Sequence, residues 1–228
     1  MPAPIIAIDG PSGSGKSSTS RGVARRLGLR YVDTGAMYRA MTWWMLAHRV
    51  DVDDPEAVAQ RCHEPVITLG VDPADPGVSV DGDDVSARIR QADVADAVSR
   101  VAAVPQVRER LVRSQRDMVD QARAAGYGVV MEGRDIGTVV LPEADLKVYL
   151  TADVEARAAR RARELAGSSG HGSVDATQVN LQARDALDST RAVSPLQQAP
   201  DAVAIDGTHL SLDEVIDAVI GALPQGSP

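Results

Sequence analysis

The sequence predicts a doubly wound α/β fold, on three observations. Short β-branched runs alternate with helical patterns along the chain. The first run ends in a glycine-rich turn that opens a helix. The 228 residues and 24.0 kDa suit one sizeable domain, and 44% hydrophobic with 25% charged residues is ordinary for a soluble globular protein.

Ile5–Asp9 is a compact apolar run of the kind found in buried parallel strands. A helix follows over Ser14–Leu27, with Gly28 as its stop. Arg30–Val32 reads as a second strand, and Ala36–His48 as a helix that Thr34 can cap. Gly128–Met131, Leu146–Leu150 and Ala202–Ile205 supply three more strands. Helices are predicted over Val107–Ala124, Val154–Leu165 and Leu212–Ala222. Parallel strands require crossovers, and the helices between these runs provide them while covering the sheet's apolar faces.

Two segments depart from that plan. Val66–Leu69 and Val78–Val80 alternate between Asp-Pro and Asp-Gly turns, so Pro65–Ile89 reads as a small antiparallel β insert. Gly167–Ser173 is glycine- and serine-rich and reads as a hinge-like loop between helical stretches. The tail Pro224–Pro228 is expected to fray.

Charge and cysteine content exclude several classes. The formal net charge is −8, which argues against general affinity for nucleic acid or anionic membrane. Of the 24 basic residues 22 are arginines, Lys16 and Lys147 being the exceptions. A single cysteine, Cys62, excludes an internal disulfide framework and a Cys-based zinc site. The opening Met1-Pro2-Ala3-Pro4 lacks a basic n-region, and no run approaches the ~20 apolar residues of a membrane span. A cytoplasmic protein is expected.

The chemistry concentrates in Gly10-Pro11-Ser12-Gly13-Ser14-Gly15-Lys16-Ser17, a full match to the phosphate-binding pattern G-x-x-x-x-G-K-[ST]. Its glycines let successive N–H groups face one anion, and the helix that follows adds its dipole. Lys16 is placed to reach β- and γ-phosphates, and the Ser17 hydroxyl to bind Mg²⁺. An Asn-Lys-x-Asp guanine reader is absent from the sequence, which disfavours a GTPase. A kinase acting on a small molecule needs a second anion site, and candidates for it follow the other strands. Asp33-Thr34-Gly35-Ala36-Met37-Tyr38-Arg39 follows the second, and Glu132-Gly133-Arg134-Asp135 ends the third, the edge where open α/β sheets bind ligands. Arg184, Asp188 and Arg191 share a helix face if that helix persists, and Arg157, Arg160 and Arg161 cluster before the flexible loop. Taken singly, Arg157, Arg160 and Arg161 read first as a solvated helix face, Arg184 and Asp188 as a surface pair, Gly133-Arg134-Asp135 as a strand-ending turn and Tyr38 as core. Together with the P-loop they suit two phosphate-bearing substrates brought side by side. From the residues alone, other small-substrate kinases and a nucleotide-dependent switch docking a protein stay open.

These blocks resemble the bacterial cytidylate kinase family, in the nucleoside monophosphate kinase group. The likeness covers Ile8–Ser17, Asp33–Arg39, Val101–Arg108, Glu132–Val140 and Arg191–Leu196, with Gly133-Arg134-Asp135 and Arg191-Ala192-Val193-Ser194-Pro195-Leu196 its most particular parts. The resemblance implies a P-loop kinase fold with a five-stranded parallel sheet, an antiparallel insert and a lid. Its implied divisions are a core at about 1–34, 102–155 and 189–228, a monophosphate-binding insert at about 35–101, and a lid at about 156–188. It implies ATP-dependent phosphorylation of CMP and dCMP with Mg²⁺, by a monomer. Gly10 to Ser18 and Arg157 would bind ATP, with Lys16, Arg160 and Arg161 catalytic. Thr34, Tyr38, Arg39, Ser99, Arg108, Gly133, Arg134, Asp135, Arg184, Asp188 and Arg191 would surround the monophosphate. Thr34 stands where the family pattern has Ser, which keeps the hydroxyl.

Overall fold

The computed structural model describes residues 3–166, 178, 185, 186, 189, 190 and 194–224, with the backbone alone over 161–166. Five strands form one parallel sheet: β1 (Ile5–Asp9), β2 (Arg30–Asp33), β6 (Val129–Gly133), β7 (Leu146–Thr151) and β8 (Val203–Asp206), in the order β2-β6-β1-β7-β8. The pleat of β1 sorts the side chains of this apolar run between two cores. Ile6 and Ile8 join Val130, Val148 and Leu150 beneath α1 (Lys16–Leu27) and the C-terminal helix α7 (Leu212–Gly221). Ile5 and Ala7 join Val129, Met131 and Val119 beneath α5 (Pro105–Ala124). Both faces of the sheet are therefore covered, and β1 is buried along its whole length.

The insert is richer than the sequence reading. It contains β3 (Ile67–Leu69), β4 (Val78–Val80) and a short β5 (Asp83–Asp84) in an antiparallel sheet, and also two helices that were not anticipated. One is α3 (Pro55–Arg61), capped by the Asp54 side chain with proline in its first turn. The other is α4 (Ala92–Ala103), which buries Val94, Ala97, Val98, Val101 and Ala102. These elements close a third core around α2 (Thr34–Ala47), with Met41, Trp44 and Met45 at its centre. Cys62 is buried there as an ordinary packing residue.

One local expectation is corrected. Asp33, not Thr34, caps α2: its carboxylate accepts the Ala36 N–H at 2.9 Å. Thr34 is already helical and buried, and its hydroxyl donates to the Glu132 carbonyl at 2.7 Å, tying α2 to β6. Aspartate outranks threonine as a cap, and a buried hydroxyl takes whichever acceptor it faces. The hinge-like loop Gly167–Ser173 and the end of the tail lie outside the described residues.

Because all five strands run the same way, Asp9, Asp33 and Gly133 end at one edge of the sheet. The register pairs Asp9 with Gly133 and Asp33 with Glu132. At the opposite edge, where β6 begins, the chain approaches the start of β1 closely. A methyl on buried Gly128 would collide with the Pro4 carbonyl oxygen, a backbone atom that moves only if β1 moves. Gly128→Ala is expected to cost about 1–3 kcal/mol, read as a lowered midpoint in urea unfolding.

Candidate functional site

The loop Gly10–Gly15 crosses the C-terminal edge of β1 and leads into α1, with Gly15 in left-handed conformation at the helix entrance. Lys16 folds back over it and donates to the Pro11 carbonyl at 2.8 Å. Burial and the nearby Arg134 guanidinium lower its pKa from the usual lysine range to about 7, against the opposing pull of Glu132, Asp9 and Asp185. Ser17 and Ser18 are exposed at the start of α1. The Ser17 hydroxyl lies near enough to Glu132 to favour its charged form.

Helix α6 (Val154–Ala166) lies across the same loop. Arg157 is buried, donating to the Ser12 carbonyl at 2.9 Å and the Ala152 carbonyl at 3.0 Å. Arg160 donates to the carbonyls of Ser14 at 3.3 Å and Gly207 at 2.5 Å. Thus two of the three clustered arginines face the P-loop, and the side chain of Arg161 lies outside the described residues.

The second group of predicted residues stands opposite, and Arg134 joins the two. Arg134 follows β6 and donates to the Gly10 carbonyl at 2.6 Å. Asp135 and Arg108, which sits on α5, form a buried ion pair. The Arg108 guanidinium also lies 5.5 Å from the centre of the Tyr38 ring. Arg39 pairs with Asp33 at 2.9 Å. Ser99 is half-buried on α4, the helix packed against α2. Arg184, Asp188 and Arg191 lie outside the described residues.

Two guanidinium nitrogens, Arg39 Nε and Arg108 Nε, are buried without a hydrogen-bond partner among the described residues, as is the hydroxyl of Ser14. Unsatisfied buried donors are costly, by about 1–3 kcal/mol each. Orphaned donors on this edge fit an acceptor-rich ligand such as a phosphate or a base edge.

Three acidic residues complete the site: Asp9 and Glu132, which lie in the P-loop and Gly133-Arg134-Asp135 blocks but have no role assigned to them by motif, and Asp185 beside Arg184. Glu132, buried at the end of β6, accepts from the Tyr31 hydroxyl, and burial with the Asp33 charge raises its carboxyl to about 7. Asp9 is raised to about 6 by burial, opposed by the N–H groups of Ile136 and Gly137 that it binds. Asp185 accepts the Ser12 N–H at 2.9 Å and pairs with Arg157, so a carboxylate lies on the P-loop itself. The position of Glu132 beside the P-loop strand was a usable signal; Asp185 had none beyond its neighbour Arg184.

Among the described residues no group of three His, Cys, Asp or Glu side chains is poised around a metal ion. The oxygen donors present, the Ser17 hydroxyl with Glu132 behind it, suit Mg²⁺ that keeps phosphate and water ligands.

The family model described as cytidylate kinase matches residues 6–225. The chain belongs to the cytidylate kinase family. It is 53% identical over 220 residues to the cytidylate kinase of Streptomyces avermitilis, covering 96% of this chain and 92% of that one. Identity to the cytidylate kinase of Streptomyces coelicolor is 56% over 219 residues, covering 96% and 92%. For that of Nocardia farcinica it is 51% over 221 residues, covering 97% and 94%. A cytidylate kinase is a nucleotide-binding phosphotransferase, and the P-loop at the centre of this sheet is the corresponding apparatus here.

Gly10 is the tightest point of that apparatus. Its φ is +151°, and a Cβ there would overlap the Leu150 carbonyl oxygen of β7. Gly10→Ala is expected to weaken nucleoside triphosphate binding at least tenfold, measured by calorimetric titration.

Proposed function

We propose that this protein transfers the γ-phosphoryl group of ATP to CMP or dCMP, forming ADP and CDP or dCDP. The observation that carries this reading is the Arg108–Asp135 pair, buried beside Tyr38 and linked through Arg134 to the P-loop. Cytosine presents an N4 amino donor with N3 and O2 acceptors. Asp135 is suited to accept from N4, while Arg108 and Ser99 are suited to donate to N3 and O2. Uracil places a carbonyl oxygen before the carboxylate and a donor at N3. Mispairing of that kind costs about 1–3 kcal/mol per group, so CMP is favoured over UMP.

In this reading Arg39 and Arg134 hold the acceptor phosphate, with Asp188 on the ribose hydroxyls and Arg184 and Arg191 completing the pocket. The Gly10–Gly15 amides, Lys16, Ser17, Ser18 and Arg157 hold the triphosphate. Ser17, backed by Glu132, would hold Mg²⁺, which when bound neutralises phosphate charge. A CMP phosphate oxygen attacks the γ-phosphorus in line and the bond to the β–γ bridging oxygen breaks, so that ADP leaves with the bridging oxygen. Lys16, Arg160 and Arg161 compensate the charge moving between the two nucleotides. The division into core, insert and lid belongs to the same proposal: insert and lid would close over the two substrates and exclude water. So does a monomeric state, which leaves both segments free space.

The deciding experiment is a coupled ADP-release assay across CMP, dCMP, UMP, AMP and shikimate. The cytosine nucleotides are expected to exceed UMP in kcat/KM by at least tenfold. Equal turnover of UMP or AMP, or none with any monophosphate, would overturn the assignment. ATP turnover stimulated by a protein and by no monophosphate would favour a switch instead.

The electrostatics give a pH-dependent prediction. At pH 8 the lowered pKa of Lys16, about 7, leaves most of this side chain neutral before ATP binds. The phosphate charges then raise that pKa, and they raise those of Asp9 and Glu132 as well, so every shift has the same sign. Binding of ATP in EDTA at pH 8 is expected to take up protons. The observed heat should therefore vary with buffer ionisation enthalpy in calorimetry, and equal heats in phosphate and Tris would contradict it.

A further inference from the structure

The residues assigned to base and phosphate recognition, Arg134 and Asp135, sit on a connection with no regular secondary structure of its own. Immediately after them the chain makes a single π-helical turn, Ile136–Val140. The first N–H groups of such a turn have no partner within it. Here they meet one side chain. Asp9 Oδ1 accepts the Ile136 N–H at 2.8 Å and Asp9 Oδ2 accepts the Gly137 N–H at 2.7 Å. Asp9 is the last residue of β1 and is only 4% exposed.

The two oxygens are used one apiece, so both acceptors are needed. The same short stretch of chain holds the connection at two further points. Asp9 pairs with Gly133 in the sheet, and the Gly10 carbonyl accepts from Arg134. Beyond Asp9, the Asp135 carbonyl accepts the Val139 and Val140 N–H groups at 2.9 and 3.2 Å. On the outer side, Arg116 donates to the carbonyls of Val140 at 2.9 Å and Val139 at 2.7 Å. The backbone of Asp135 is therefore bonded to the same turn that the Asp9 carboxylate anchors.

We infer that Asp9 is a positioning residue for monophosphate recognition: its carboxylate fixes the turn that aims Asp135 at the base and Arg134 at the phosphate. The inference rests on the proposed CMP-kinase reading. It assigns Asp9 no contact with substrate and no part in proton transfer. Through Gly10 it also makes the first residue of the P-loop and the base reader parts of one rigid unit. An asparagine in its place offers one acceptor and turns an NH₂ group toward an N–H. The turn then loses one anchor, and Asp135 loses its fixed direction while remaining chemically intact. The triphosphate cradle uses the backbone amides of Gly10–Gly15 and not the Asp9 carboxylate, so the donor side is affected less.

The test compares wild type with Asp9→Asn in kcat and KM for CMP, UMP and ATP, beside a thermal melt of each protein. For wild type the CMP preference is read first; its absence would defeat the CMP-kinase reading and not the role of Asp9. Given that preference, Asp9→Asn is expected to raise KM for CMP at least tenfold. The CMP-over-UMP ratio of kcat/KM should shrink at least threefold, with KM for ATP changing less than threefold. A purely structural role would lower the melting temperature and the active fraction while leaving the ratio intact. An unchanged ratio, or equal losses toward CMP and ATP, would overturn the inference. If Asp9→Asn does not fold, Asp9→Glu serves. It keeps both acceptors but displaces them by one methylene, so the ratio is again expected to narrow, and a wild-type ratio in that variant would overturn the inference equally.

Discussion

A set of cations confined to one edge of a parallel sheet must be held apart and aimed, and here each is held by a specific acceptor. Lys16 binds the Pro11 carbonyl, Arg134 the Gly10 carbonyl, Arg157 the Asp185 carboxylate, Arg39 the Asp33 carboxylate and Arg108 the Asp135 carboxylate. Without these partners, mutual repulsion and desolvation would drive the groups apart and lower the pKa of Lys16 further. The sheet supplies the acceptors at the right places because parallel register brings the ends of β1, β2 and β6 together. Fold and electrostatics are therefore one constraint seen at two scales.

How far the sequence carried this arrangement depends on the range of the forces involved. The bounds of β1 are legible because five buried residues in a row, closed by glycine, admit few other structures. The P-loop is legible because phosphate binding imposes spacing as well as composition. Helix α4 is equally legible, with Val94, Ala97, Val98, Val101 and Ala102 at helical intervals, although the strand-like insert beside it carries the stronger turn signals. The cap of α2 is a choice between adjacent residues, Asp33 and Thr34, in which cap preference favours Asp33 and the Glu132 carbonyl engages Thr34 elsewhere.

Other features lie beyond local pattern. The π turn at Ile136–Val140 is held by Asp9 from one side and Arg116 from the other, residues far from it in sequence. No periodicity in Ile-Gly-Thr-Val-Val announces it. The carboxyls of Asp9 and Glu132 owe their raised pKa values first to burial, which is a property of the folded chain. Asp185 reaches the Ser12 amide across 173 positions of sequence. Sequence reading finds groups whose chemistry demands a motif; it misses groups whose role is to hold another group still.

The negative net charge is consistent with a site for two polyanions once distance is considered. At physiological ionic strength the screening length is about 8 Å, so exposed acids on remote surfaces contribute little at the P-loop. The acids that matter are those within the site: Asp9, Asp33, Glu132, Asp135 and Asp185. Asp9 holds backbone N–H groups, Asp33, Asp135 and Asp185 hold arginines, and Glu132 accepts from the Tyr31 hydroxyl, so each orients a donor and keeps the local field from becoming prohibitively positive. An incoming phosphate competes with such carboxylates for the same donors, so affinity is reduced in exchange for geometry. Selectivity then depends on which acids stay engaged. Asp135 is buried with Arg108, and its backbone is bonded to the turn that Asp9 anchors. A carboxylate held in that way discriminates between bases because it cannot turn to accommodate the wrong one.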